Sequence, residues 1–212
     1  MKFNDIYEYR DGINHFDLLK SWQYLEHIAK DKMNPDYALA KTDFPVYKSL
    51  LSYAIRDQAQ CDALSLDLSK GILLVGKVGV GKTSYMKLLP MLMYHKYRYS
   101  LESSLDITSD YKEFGESIIK MYSRKSVNVN HLCIDDLGLE KEVNHYGNKT
   151  NVIGEILYKR HRLLVDEGVI THATTNLNAD ELAKKYGSRL RSRMREMFNI
   201  LSFPKESRDK RR

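Results

Sequence analysis

The stretch that most limits what this chain can fold into is "GILLVGKVGVGKTS", residues 71 to 84. Ile72, Leu73, Leu74 and Val75 make an apolar run of strand length. Glycines follow at 76, 79 and 81, and Lys82, Thr83 and Ser84 then open an apolar, helix-like pattern. Gly76, Gly81, Lys82 and Thr83 fit G-x-x-x-x-G-K-[ST] without a mismatch, with Gly79 as an extra glycine. A chance match in a chain of this length has a probability of roughly 1 per cent, and few chance matches would fall between a buried strand and a helix. Glycines let the backbone turn its N–H groups inward onto a polyphosphate and deliver that anion to the positive end of the next helix. Residues Gly76, Lys77, Val78, Gly79, Val80, Gly81, Lys82, Thr83 and Ser84 are therefore the candidate ATP-binding segment. Lys82 is expected to reach the outer phosphates, and the Thr83 hydroxyl to ligate Mg²⁺.

A phosphate loop needs a carboxylate for its metal. "HLCIDDLG" offers one: Leu132, Cys133 and Ile134 read as a buried strand that presents Asp135 and Asp136 at its C-terminal end. Asp135 is the expected Mg²⁺ carboxylate, acting directly or through water, while Asp136 is placed to orient or deprotonate the attacking water. The bland alternative is two solvated aspartates before a turn at Gly138.

Around these motifs the chain alternates strands and helices. Strands are expected at Gly71 to Val75, roughly Leu105 to Thr108, His131 to Asp135, Val169 to Thr175, and Asn199 to Phe203, with helices between. That alternation predicts an α/β fold, a mostly parallel sheet covered on both faces. Before it, Phe16, Leu19, Trp22, Leu25, Ile28 and Ala29 recur at helical spacing. Asn34-Pro35 and Phe44-Pro45 break the pattern. Residues 1–44 thus read as a helical extension with a linker, 45–203 as the main domain, and 204–212 ("PKESRDKRR") as a basic tail expected to be disordered.

A chain of 212 residues suits one sizeable core. No apolar run approaches the roughly 20 residues of a membrane span, and the N-terminus has no signal-peptide pattern, so a cytoplasmic protein is expected. Cys61 and Cys133 lack metal-ligand spacing and read as free thiols. The formal charge of +6 favours an acidic partner, nucleic acid being the commonest. Candidate DNA contacts lie in "YHKYRYS", where Tyr94, Tyr97 and Tyr99 alternate with His95, Lys96 and Arg98, and in "YSRK" at 122–125. Tyrosines that cover the core explain the first stretch equally simply.

Four segments together, "GILLVGKVGVGKTS", "CIDDLGLE", "ATTNLNADEL" and "YGSRLRSRMREMF", resemble in order and spacing the AAA+ ATPases of the DnaC/IstB type over about residues 45 to 203. That group comprises bacterial replicative-helicase loaders and transposition helper ATPases. The resemblance implies a five-stranded parallel sheet between helices, ATP and Mg²⁺ as cofactors, ATP hydrolysis and an ATP-dependent homo-oligomer. It also implies DNA, single- or double-stranded, and a helicase or transposase as partners. It makes Asn176 the polar residue near the γ-phosphate, where a helix-capping role is the alternative. It makes Arg193, with Arg189 as second candidate, an arginine finger acting on a neighbour's nucleotide, where a solvated or DNA-facing basic helix is the alternative. The catalytic set expected from it is Lys82, Asp135, Asp136, Asn176 and Arg193. The sequence departs from the pattern in having little room for a C-terminal helical lid, so a reduced or absent lid is expected, with Arg208 the one tail candidate for a lid residue. Asp136 stands where many relatives carry glutamate, which predicts slow hydrolysis. A helicase loader is the leading reading and a transposition helper its alternative. A non-catalytic nucleotide-gated binder or a small-molecule phosphotransferase are further ones.

Overall fold

The computed structural model describes residues 1–10, 12–123, 131–145 and 148–210. Strands β1 (Tyr7–Arg10) and β2 (Ile13–Phe16) form an antiparallel hairpin within the segment read from sequence as a partly helical extension. Tyr7-Glu8-Tyr9-Arg10 alternates aromatic and polar residues as a strand does, and Gly12, at φ +80°, makes the turn. Helix α1 (Leu18–Lys32) starts at Asp17, whose carboxylate accepts from the Leu19 and Lys20 amides. Its apolar stripe buries Trp22, Leu25, Ile28 and Ala29, whereas Leu19 stays exposed. Helix α2 (Phe44–Ala54) carries Pro45 in its first turn, where the missing N–H does no harm, and α3 (Gln58–Ala63) is capped by Asp57.

Strand β3 (Gly71–Val75) leads into helix α4 (Lys82–Leu88). That helix is shorter than its apolar pattern suggests, because Pro90 removes a donor and the chain tightens into a 3-10 turn at Leu89–Met91. Strand β4 is Tyr99–Ser103, and the strand expected near Leu105–Thr108 is instead the start of helix α5 (Ser104–Phe114). Ser103 caps a helix there, and Ile107, Thr108 and Tyr111 fall on its buried face.

Helix α6 (Glu116–Ser123) precedes β5 (His131–Asp135). A small antiparallel ribbon follows, β6 (Val143–His145) with β7 (Asn148–Thr150), and then helix α7 (Val152–Glu167) and β8 (Thr171–Thr175). Helix α8 (Ala179–Met197) breaks at Gly187, whose φ of 82° and ψ of 157° are not helical, and runs into β9 (Phe198–Ser202).

The main sheet has the order β4-β5-β8-β3-β9, and every neighbouring pair is parallel. Val75 lies beside Thr175 and Ser202 at the C-terminal end of the sheet, so the loop after β3 emerges next to the ends of β5 and β8. After β3 the chain crosses to the far edge, and after β8 it returns to the other side of β3. Such a reversal in strand order opens a crevice at the carboxyl ends of the strands.

Successive residues of β3 face opposite sides. Ile72 and Leu74 join a core with Trp22, Leu25, Tyr47, Tyr53, Tyr85 and Met86. Leu73 joins a second with Ile134, Ile153, Ile156, Ala173 and Met194. The extension over residues 1–44 therefore shares its core with the phosphate-loop face. Trp22 meets Tyr47 edge-on with centroids 4.8 Å apart, and Tyr47 stacks on Tyr85 of α4 at 4.1 Å. No described helix is long and apolar enough to cross a membrane.

Candidate functional site

Between the apolar strand and α4, Gly79 (φ +85°) and Gly81 (φ +95°) adopt left-handed backbone that other residues resist. Gly76 is needed for closeness: a Cβ there would lie 3.0 Å from Val80 Cγ2 and 3.1 Å from Phe203 Cβ. The loop wraps the N-terminus of α4, with Lys82 in its first turn. The Lys82 side chain is turned into the loop and nearly buried. Its ammonium donates to the Gly76 carbonyl (2.8 Å), the Lys77 carbonyl (2.9 Å) and Asn176 Oδ1 (2.5 Å). An incoming phosphate would exchange these partners for charged oxygens.

Asp135, at the end of β5, is buried, and its Oδ1 accepts from the Thr83 hydroxyl (3.1 Å) and the Thr174 hydroxyl (2.6 Å). The same Thr174 oxygen accepts from the Asp136 amide at 2.9 Å. Asp136 has a φ of 53°, and its carbonyl accepts from the Ser104 hydroxyl at 2.8 Å. Thr175 continues the lacing, its hydroxyl donating to the Leu137 carbonyl at 2.6 Å. The acid turn is thus fixed from β8 and α5 in a conformation that costs a non-glycine residue about 1–3 kcal/mol.

A cavity of about 780 Å³ covers this end of the sheet. Val78, Gly79, Gly81, Lys82, Thr83, Ser84, Asp136 and Asn176 line it from the sheet side. Met33, Asn34, Asp36, Tyr37, Ala38, Leu139 and Lys210 complete its lining. The sequence reading treated residues 34–38 as a linker only; Tyr37, whose hydroxyl burial pushes up to about 12, belongs to this lining. Thr174 was also missed: nothing in a threonine within a buried strand marks it as the residue that holds two aspartates. An oxygen donor pair, the Thr83 hydroxyl and the Asp135 carboxylate, fits a small hard cation such as Mg²⁺. No group of three or more His, Cys, Asp or Glu suited to a metal occurs among the described residues. That is the usual state of a site in which Mg²⁺ takes one or two protein oxygens and the rest from phosphate and water.

The remaining candidates stand elsewhere. Val80 contributes its backbone, its side chain being buried in the core. Arg193, on α8 beyond the Gly187 break, lays its guanidinium 3.9 Å above the Tyr158 ring and meets His161 Nδ1 at 3.3 Å. Arg189 is exposed on the same helix, and neither arginine lines the cavity. Arg208 is exposed, and the tail residue whose side chain lines the cavity is Lys210. Residues 204–210 lie against the phosphate loop, where a disordered tail was expected: Lys77 donates to the Lys205 carbonyl and the Lys210 amide to the Gly79 carbonyl. Of the tyrosines in "YHKYRYS", Tyr99 is buried and donates to the Met86 carbonyl, and Tyr97 lies under the Arg56 guanidinium at 3.8 Å. Tyr94 alone of the three is exposed. Arg124 and Lys125 of the second stretch lie outside the described residues.

Sheet order, loop and acid strand together define a five-stranded parallel α/β fold with a glycine-rich loop and a buried aspartate at the C-terminal end of its sheet. The chain is similar to the crystal structure of the DnaC helicase loader, at 19% identity and a TM-score of 0.53, over 81% of this chain and 95% of that one. It is similar to DnaI at 20% identity and a TM-score of 0.57, over 84% and 89% of the two chains. The replication initiator DnaA bound to AMPPCP and single-stranded DNA matches at 17% identity and a TM-score of 0.54, over 80% of this chain and 48% of that one. No protein-family model matches the sequence, and no curated protein matches it.

Proposed function

We propose that this chain is an ATP-dependent ATPase of DNA replication that assembles with ATP on DNA and loads a replicative helicase. The observation that carries the reading is the meeting of Lys82, Thr83, Asp135, Asp136 and Asn176 at one end of the sheet, at the foot of a single cavity. Loop amides and Lys82 bind the phosphates, while Thr83 and Asp135 are the residues that would hold Mg²⁺, which would supply positive charge beside the phosphates. Asp136 orients the attacking water and takes up its proton, and Asn176 steadies the γ-phosphate end through Lys82. A small cation-and-carboxylate site of this kind works by positioning and electrostatics.

Among functions on this fold, the helicase loader is favoured because the likeness spans nearly the whole of the DnaC and DnaI chains but about half of the DnaA chain. Arg193 then serves as the finger in trans. It stacks on Tyr158 and does not line its own chain's cavity, which supports a role on a neighbouring copy's nucleotide rather than its own.

Equilibrium binding to labelled single- and double-stranded DNA, with ATP and Mg²⁺, with ADP and with neither, at two salt concentrations, tests the reading. ATP-dependent preference for single strands supports the loader. Preference for duplex would move the assignment to a transposition helper, and no DNA binding in any state would leave a protein-only switch.

A further inference from the structure

The segment after β9 returns along the phosphate loop and ends its described course with Lys210 in a slot between that loop and the start of α2. Lys210 is anchored by both its backbone and its side chain. Its amide donates to the Gly79 carbonyl at 2.9 Å. Its ammonium donates to the Val80 carbonyl (2.8 Å), the Tyr47 hydroxyl (2.6 Å) and Asp43 Oδ2 (2.6 Å). Asp43 has no exposed surface, and the Lys210 side chain is 18% exposed. The ammonium also lies 5.2 Å from the Tyr47 ring and 5.3 Å from that of Phe203. Beside it, the Asp209 carboxylate packs so closely on Gly79 that a Cβ there would fall 2.1 Å from Asp209 Oδ1.

Peptide geometry gives these contacts a consequence. The C=O of residue 79 and the N–H of residue 80 belong to one planar unit, as do the C=O of residue 80 and the N–H of residue 81. No described peptide is cis, so in each unit the N–H points opposite to the carbonyl. Holding the Gly79 and Val80 carbonyls towards Lys210 therefore turns the Val80 and Gly81 amides away from it, free to meet an anion on the other face of the loop. Glycines at left-handed φ on both sides make this short stretch free to rotate unless something fixes it. We propose that Lys210 is a positioning residue for phosphate binding: with Asp43 and Tyr47 it clamps the Gly79 and Val80 carbonyls, so that the Val80 and Gly81 amides are preset for polyphosphate. This rests on the nucleotide reading above. It assigns to a tail lysine and to the start of α2 a function that neither carries in the sequence.

Lys210→Met keeps the length and apolar stem of the side chain and removes its charge and donors. ATP and inorganic tripolyphosphate binding are measured by calorimetry for wild type, Lys210→Met and Lys210→Arg, with thermal unfolding of each. Lys210→Met is expected to bind both ligands about tenfold more weakly, by a common factor, because the loop amides touch phosphate alone. Lys210→Arg, which keeps charge and donors, is expected to restore most of the affinity. Unchanged affinity in Lys210→Met overturns the inference. So does a loss for ATP with none for tripolyphosphate, which would put the lysine's effect on the base side of the cavity. Should Lys210→Met fail to fold, Lys210→Gln, which keeps one donor group, decides by the same comparison. A wild-type protein that binds neither ligand overturns the nucleotide reading itself, whereas wild-type binding with an unaffected Lys210→Met removes only the clamp.

Discussion

At the scale of single residues, the proposed function divides the chemistry between two side chains, one for binding and one for turnover. Lys82→Ala removes the cation that faces the phosphates and is expected to abolish detectable ATP binding in a filter or calorimetric assay. Asp136→Asn keeps the shape of the acid turn but removes the charge that orients and deprotonates water. It is expected to bind ATP as wild type does while hydrolysis falls by about a hundredfold or more, within the range of general-base losses. Equal turnover of Asp136→Asn and wild type would favour a protein that only gates an interface with nucleotide. Thr174 offers a sharper test, because its hydroxyl both donates to Asp135 and accepts from the Asp136 amide. Thr174→Val keeps a branched side chain of similar size and removes the hydroxyl that both aspartates use, a loss of about 1–3 kcal/mol. Steady-state kinetics should then show turnover falling more than ATP affinity.

At the scale of elements, helix α8 and strand β8 each carry a testable load. The half of α8 before Gly187 is tied to the acid turn: Tyr186 donates to Glu140 Oε1 at 2.6 Å, and Gly138 to Glu140 Oε2 at 2.8 Å. Beyond the break, Arg193 sits on Tyr158 of α7. Arg193→Ala is expected to bind ATP normally and to lose its DNA- or partner-stimulated turnover, by about 10³ if the finger is in trans. Full stimulated turnover in that variant would end the finger assignment.

Strand β8 contributes a pH dependence. His172 is wholly buried, its Nδ1 accepts from the Ile72 amide, and burial pulls its pKa down to about 3. Between that value and the ordinary 6.5 the unfolded chain binds a proton that the folded chain does not. Its contribution is therefore complete above pH 6.5 and is lost as pH falls below it. Burial shifts the half-buried His131 the same way. Chemical denaturation between pH 7 and 5 should show stability falling with acidity, and His172→Asn should flatten that slope by the larger share.

At the scale of the whole molecule, the extension and the proposed nucleotide site are one structure. Trp22 packs on Tyr47, Tyr47 on Tyr85 of α4, and Tyr37 walls the cavity. Trp22→Ala is expected to destabilise the fold by about 3–5 kcal/mol, the usual range for a large aromatic removed from a core. It should lower the unfolding temperature and weaken ATP binding together. A variant that lost stability but kept full affinity would show that the extension only covers the sheet. The sequence boundary at residue 44 fell there because two prolines and polar residues mark a break in local pattern. Such breaks report turns, and they do not report what the flanking segments pack against.

The parts of this protein determined by sequence alone are those set by local chemistry: the strand–glycine loop–lysine unit, the buried strand ending in Asp135 and Asp136, and the alternation that makes a parallel sheet. Each depends on residues close together in the chain, so spacing suffices to read it. Only tertiary structure decided which distant groups complete the site. Asn176 meets Lys82 across a separation of 94 residues, Thr174 meets Asp135 across 39, and Lys210 meets Val80 and Asp43 across 130 and 167. The physical reason is that parallel strands are joined by long crossovers. The order in which they line up, and so the partners brought to their ends, comes from packing two hydrophobic faces at once, a property that no short window of sequence carries.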